Sequence, residues 1–200
     1  MNIEYNSPVI LTYALLSTVL LVLNQTVLDL MPLFTVYPEI NLADPAWYFR
    51  LFSHVLGHGG WDHLVSNFTI ILLVGPILEE KYGSRDLLLM ILVTALVIGL
   101  LQVFFFSTAL LGASGIAFML ILLASYTRTK SGGIPLSFLL IVVLFLGKEV
   151  YMSFSEDQVS QFAHIIGGVL GGLFGFLWES GSGKKNNQPV DDSKILTGLD

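Results

Sequence analysis

Apolar and polar residues alternate along the chain in long blocks, with hydrophobic runs separated by short polar connections. Six runs reach or approach the roughly 20 residues that a membrane-spanning helix needs. They extend from Pro8 to Met31, Asp62 to Leu78, Leu87 to Phe106, Gly115 to Thr127, Ile134 to Met152 and Phe162 to Trp178. The first run is interrupted by Asn24-Gln25, and its helix could end near these residues. None alternates like a strand, and lipid admits only helices or closed barrels. The pattern predicts an all-α membrane protein, a compact bundle of six transmembrane helices.

Composition supports this prediction and narrows the function. Of the 200 residues 54% are hydrophobic and 12% are charged, about half the usual charged fraction of a soluble domain. The net charge of -6 and the lack of a basic stripe argue against nucleic-acid binding. The chain contains no cysteine, which excludes disulfides and a thiolate nucleophile.

The basic residues predict the orientation. If the N-terminus is cytoplasmic, seven of the nine Lys and Arg residues lie in cytoplasmic connections, namely Lys81, Arg85, Arg128, Lys130, Lys184, Lys185 and Lys194. Only Arg50 and Lys148 lie outside. The positive-inside rule therefore places both termini in the cytoplasm. No basic residue precedes the first run, which favours a retained span over a cleaved signal peptide. Residues 1–178 form the predicted six-helix domain, and the polar residues 179–200 a disordered tail.

Several polar residues in the spans share one predicted depth. Ser114 lies 14 residues before Arg128, which is about 21 Å of helix in a hydrocarbon core about 30 Å thick. The preceding loop must therefore dip into the membrane. The same measure puts His63, Asn67 and His164 roughly 18 to 24 Å above the cytoplasmic side. Three helices thus offer a hydroxyl, two imidazoles and an amide in one layer.

Each of these residues also has a structural interpretation when it is taken alone. A serine between glycines often allows transmembrane helices to pack closely, and an asparagine can join two helices. His63 could be an interfacial residue beside Trp61. The spaced glycines of the last run predict a packing face. Intramembrane ionisable residues are costly and usually face a cavity, so the shared depth favours a site.

The residue types in this layer suit acyl transfer. A serine hydroxyl needs a base to become a nucleophile, and an imidazole has a suitable pKa. Ser114 and His164 could form a Ser-His dyad. Asn67, His63 and the backbone N–H of Ser114 could stabilise an oxyanion. Gly112 would let the substrate carbonyl approach closely.

At these residues the sequence resembles the rhomboid intramembrane serine proteases. The matching motifs are HLVSN, GASG followed by Phe118, and AHIIGG, in the order of the second, fourth and sixth spans. The upstream stretch FRLFSHVLGHGGWDH resembles the first external loop of the family, and EEKYGS the turn after the second span. The resemblance covers roughly Phe49 to Trp178.

The resemblance implies Ser114 as nucleophile and His164 as base, with an oxyanion hole from His63, Asn67 and the Ser114 amide. It also implies that Phe118 stacks on the catalytic imidazole, where many relatives have tyrosine. Substrates would be single-span membrane proteins cut in or near the transmembrane segment. No metal or cofactor is implied, and the location would be the cell membrane, as in bacterial rhomboids. The resemblance predicts no oligomeric state.

Two other functions compete with a protease. The first is an inactive rhomboid-like protein that binds membrane clients, although such proteins typically lose the serine or the histidine. The second is a small transporter or channel, which would need polar residues continuing to the cytoplasmic side. Below the shared layer the three spans are nearly all apolar. The protease interpretation further predicts a hydrated cavity open to the extracytoplasmic side, a lateral gate at Phe138 and Phe145, and structural roles for His54 and His58 as partners of loop carbonyls.

Overall fold

The computed structural model describes residues 4–126, 136–141, 143–144 and 158–185, and these residues are mainly helical. The helices, in chain order, are α1 (Pro8–Thr26), a short 3-10 helix (Met31–Phe34), α2 (Pro45–Ser53), α3 (Trp61–Tyr82), α4 (Ser84–Phe105), α5 (Ser114–Ser125), α6 (Leu136–Ile141) and α7 (Gln158–Lys185). Within the described ranges, four helices are long and apolar enough to cross a membrane: α1, α3, α4 and the Gln161–Trp178 part of α7. Helix α5 is apolar but shorter.

Five of the six predicted runs coincide with a helix. The first helix ends at Thr26, directly after the interruption at Asn24-Gln25, and Asn24 Oδ1 accepts hydrogen bonds from the backbone N–H groups of Leu30 and Met31, which turns the chain. Helix α7 continues to Lys185, past the domain boundary predicted at Trp178. Residues 186–200 and most of the predicted fifth span lie outside the described residues.

Helix α2 is an element that the hydrophobic pattern did not predict. It begins after Asp44, whose carboxylate accepts a hydrogen bond from the Ala46 N–H, and Pro45 occupies the first helical position, as is common for helix starts. Its buried residues Trp47 and Leu51 pack with Val36 and Val103. The segment between α1 and α3 is therefore a packed structure against the end of α4.

Helix α5 lies at the centre of the molecule, and α7 is its closest neighbour. Along α5 the side chains of Ile116, Met119, Leu120 and Leu123 are completely buried. A Cβ atom at Gly167 would overlap the Gly115 carbonyl oxygen, and one at Gly171 would overlap that of Met119. Both helices advance four residues between these contacts, so they run parallel in constant register. The spaced glycines of α7 are a packing face, as the sequence predicted.

The ends of the helices opposite the start of α5 are joined by polar contacts. The buried carboxylate of Glu79, at the end of α3, accepts hydrogen bonds from the N–H groups of Val9 (2.9 Å) and Ile10 (3.0 Å) in the first turn of α1. A negative group is favourable at a helix N-terminus. The Trp178 indole N–H donates to Asp86 at 2.8 Å and ties α7 to α4. These contacts fix the frame that positions α5.

Candidate active site

The loop between α4 and α5 is held by backbone hydrogen bonds to the segment around α2. Val36 and Leu110 form an isolated antiparallel bridge with two N–H···O bonds of 2.9 Å. Two residues later the Gly112 N–H donates to the His54 carbonyl oxygen, also at 2.9 Å. The side-chain amide of Gln102 donates to the Thr108 carbonyl oxygen at 2.8 Å. The backbone leading to Ser114 is therefore fixed at three points.

Ser114 is the first residue of α5 and is half-buried. The helix has 12 residues, or about 18 Å, against a hydrocarbon core of about 30 Å. Ala113 precedes the helix, and its carbonyl oxygen accepts from the Ala117 N–H. The first N–H groups of a helix have no partner within it, so the backbone beside Ser114 can donate to a developing negative charge.

Gly112 brings α3 against the backbone that precedes Ser114. Its φ of +125° lies in the region that favours glycine. A Cβ atom there would lie 2.6 Å from His63 Nε2 and 3.8 Å from Asn67 Nδ2. The missing side chain thus leaves room for the imidazole. This use of Gly112, by a neighbouring side chain, differs from the role that the sequence suggested; close approach of a substrate stays a prediction.

Helix α7 places His164 beside the first turn of α5. Its ring lies flat on Phe118, with centroids 4.3 Å apart and an angle of 4° between the planes. Phe118 is one turn after Ser114 on α5. A Cβ atom on Gly115 would lie 3.2 Å from the Ala163 carbonyl oxygen, so the backbones pass closely here. His63 and His164 are near enough to interact electrostatically.

The structure therefore places the predicted site residues close to the start of α5. His63 and Asn67 lie beside Gly112, two residues before Ser114, and His164 stacks on Phe118, one turn after it. The depth argument from the sequence had placed these groups in one layer. Within the described part of the chain, no three His, Asp or Glu side chains form a cluster suited to a metal.

His58, for which the sequence predicts only a structural role, contacts one of the predicted site residues. Its Nδ1 lies 3.1 Å from the Leu56 carbonyl oxygen, and its Nε2 lies 3.2 Å from Asn67 Nδ2. A carbonyl can only accept, so Nδ1 carries the proton and the Asn67 amide donates to Nε2. This fixes the amide orientation and leaves a second N–H of Asn67 for another acceptor. The predicted bond to a loop carbonyl is confirmed for His58.

Both loop histidines are neutral at physiological pH. Burial lowers the pKa of His58 to about 4, although its bond to Leu56 opposes the shift. Burial likewise lowers the pKa of His54 to about 4. His54 Nε2 donates to the Ala95 carbonyl oxygen at 3.0 Å. Its acceptor lies in helix α4, so the prediction of a loop carbonyl is wrong for His54. The two histidines therefore have different hydrogen-bond partners: His54 joins α2 to α4, and His58 orients Asn67.

Comparison with known proteins gives an assignment that does not depend on this geometry. The model of the rhomboid domain matches residues 45–180, from the start of α2 into the last turns of α7. The chain is also 24% identical over 145 residues to the rhomboid protease GlpG of Haemophilus influenzae, covering 70% of this chain and 74% of that protein. With its long apolar helices it is a multi-pass membrane protein. The chain therefore belongs to the rhomboid family.

Proposed function

We propose that this protein is an intramembrane serine endopeptidase that cleaves single-span membrane proteins in or near the transmembrane segment. The observation that supports this most strongly is the position of two imidazoles and an amide close to the start of α5. One imidazole is held flat on Phe118, one turn after Ser114. The second imidazole and the amide lie beside Gly112, two residues before Ser114. This set contains a nucleophile, a base and oxyanion donors.

The proposed mechanism proceeds through an acyl-enzyme. His164 removes the Oγ proton of Ser114, and Oγ attacks the scissile carbonyl carbon. The Ser114 N–H, the second N–H of Asn67 and His63 stabilise the oxyanion. The amine leaves with the proton from His164, and water then hydrolyses the ester. The proposed dyad includes no carboxylate, so the stack on Phe118 would orient the imidazole in place of a third residue.

The arrangement in the membrane is part of the proposal. Six spans with both termini in the cytoplasm place Ser114 below the extracytoplasmic surface, and the cell membrane is the proposed location. The Lys and Arg distribution and the short α5 support this. Hydrated access from the extracytoplasmic side stays a prediction. So does the lateral gate, because Phe145 and the Phe138 side chain lie outside the described residues.

Reconstitution in liposomes with a single-span substrate tests the proposal. Wild-type protein should produce two fragments, while Ser114→Ala and His164→Ala should produce none. The double variant should be no worse than either, since groups that act as a unit are not additive. Cleavage by Ser114→Ala at the wild-type rate would refute the assignment. Binding of the substrate without cleavage by wild type would favour the client-binding alternative.

A further inference from the structure

Gln161 is a buried polar residue on α7 that the proposed mechanism has not used. The residue is 8% exposed. Its Oε1 is buried and accepts no hydrogen bond within the described part of the chain. Leaving a buried carbonyl oxygen without a donor costs about 1–3 kcal/mol. Such an atom beside a reaction centre suggests a ligand that supplies the donor.

The position of Gln161 along α7 puts it directly above the candidate base. It precedes His164 by three residues, and residues at this spacing are neighbours on one helix face. The His164 ring itself extends to α5, where it stacks on Phe118. Further along the same helix, Gly167 and Gly171 pack on the backbone of α5.

The register of α5 against α7 shows which part of the chain is level with Gln161. Gly167 is level with Gly115 near the start of α5. Gln161 is six residues further up α7, or about 9 Å along the axis. It therefore lies beyond the first residue of α5, level with the loop that leads to Ser114. Next to it, Phe162 packs on Phe106 with centroids 4.8 Å apart, so one side of this space is apolar.

We infer that Gln161 holds the water that hydrolyses the acyl-enzyme, an inference that rests on the proposed function. One O–H of this water donates to Gln161 Oε1, and the other donates its proton to a ring nitrogen of His164. The water oxygen adds to the acyl carbonyl carbon. The bond from that carbon to Ser114 Oγ then breaks, and Oγ takes the proton from His164. A carboxylic acid is released and the dyad is restored.

If Gln161 holds this water, its substitution should slow breakdown of the acyl-enzyme and leave its formation unchanged. Loss of a purely structural residue would slow both steps. Formation of the acyl-enzyme does not need the water, but its breakdown does. The Gln161→Met substitution keeps an unbranched side chain and removes the hydrogen-bond acceptor. The variant should form the acyl-enzyme at the wild-type rate and therefore release a burst of the amine fragment. Steady turnover should then fall roughly tenfold, with acyl-enzyme accumulating on Ser114. Gln161→Asn, which keeps a carbonyl oxygen, should recover part of the loss.

The experiment uses the full chain in liposomes and adds hydroxylamine, which attacks the ester in place of water. Hydroxylamine should raise turnover of Gln161→Met towards the wild-type value. Val169→Met, at a 45% exposed position of the same helix, is the control and should behave as wild type.

Equal losses in burst and steady phases, or a raised KM with unchanged deacylation, would overturn the water assignment; the second result would indicate a contact to substrate. Wild-type protein that neither cleaves nor acylates would instead overturn the proposed function, and this inference with it.

Discussion

At the scale of residues, the sequence indicates a functional role clearly for some polar groups and not for others. His164 stands alone in an apolar run, and Ser114 begins one, so the cost of burying them indicates a site. His58 stands among loop histidines and polar residues, where an imidazole is ordinary. Its hydrogen bond to Asn67 joins residues nine apart across the turn into α3. Only the fold shows that contact, so this role could not be predicted.

The first residue-scale prediction concerns Asn67 and His58. Removing one oxyanion donor typically costs roughly a hundred- to a thousandfold in kcat. The loss in kcat of Asn67→Ala should be at the low end of that range, because the Ser114 N–H and His63 remain as oxyanion donors. His58→Ala should also lower kcat, since it frees the amide to rotate. As His58 acts through Asn67, the double variant should be little slower than Asn67→Ala alone.

Initial rates and thermal unfolding of the three variants give the measurement. Independent, multiplying losses in kcat would show that His58 does not act through Asn67. A loss of stability with unchanged kcat in Asn67→Ala would make Asn67 a packing residue.

At the scale of elements, hydrophobic length predicted the spans better than the connections. Spans follow from the requirement to satisfy every backbone group in lipid, which holds for each run separately. Helix α2 is short, and its Trp47 and Leu51 are buried only because Val36 and Val103 lie opposite. The start signal Asp44-Pro45 was present. The helix has only nine residues, and the residues that it packs against are distant in the chain. The local sequence therefore does not distinguish a helix from a loop here.

The prediction at this scale is that the α5–α7 contact sets the geometry of the dyad. A methyl group at Gly171 would overlap the Met119 carbonyl oxygen and lie 2.9 Å from its carbon. Because the Met119 backbone cannot rotate away from the added methyl group, Gly171→Ala should separate the helices. The free energy of unfolding should fall by about 1–3 kcal/mol. His164, two turns away on α7, should shift relative to Ser114, and activity should fall.

Unfolding and cleavage are compared with Gly59→Ala, whose added Cβ meets nothing within 4 Å. A Gly171→Ala protein with the stability and activity of this control would show that the close contact does not matter.

At the scale of the whole molecule, acid should weaken the fold. The pKa of His54 and of His58 is about 4 in the folded protein, against about 6.5 for an unfolded histidine. Between these values the unfolded chain binds protons that the folded chain does not, so stability falls as the pH falls from about 6.5 to about 4. For the fully buried His54 the change is on the order of 3 kcal/mol.

Thermal unfolding in detergent at pH 7, 5.5 and 4.5 checks this, and His54→Gln should reduce the slope. A midpoint temperature that is constant over this range, or an unchanged slope in His54→Gln, would contradict the expectation.

The predicted topology can be tested because the chain contains no cysteine. Leu42 lies before α2 and is 64% exposed, and Arg85 lies at the start of α4 and is exposed. In sealed, oriented vesicles, an impermeant thiol reagent should label Leu42→Cys only from the extracytoplasmic side. It should label Arg85→Cys only from the cytoplasmic side. The reverse pattern would invert the topology, and labelling of both from one side would exclude it.

Activation of Ser114 as a nucleophile by His164 can be measured by covalent labelling. Wild-type protein in liposomes is treated with a serine-reactive fluorophosphonate, and the modified residue is mapped by mass spectrometry. We expect stoichiometric modification of Ser114 alone, no modification in Ser114→Ala, and a labelling rate reduced at least a hundredfold in a folded His164→Ala protein. Modification of another serine, or equal labelling rates with and without His164, would contradict it.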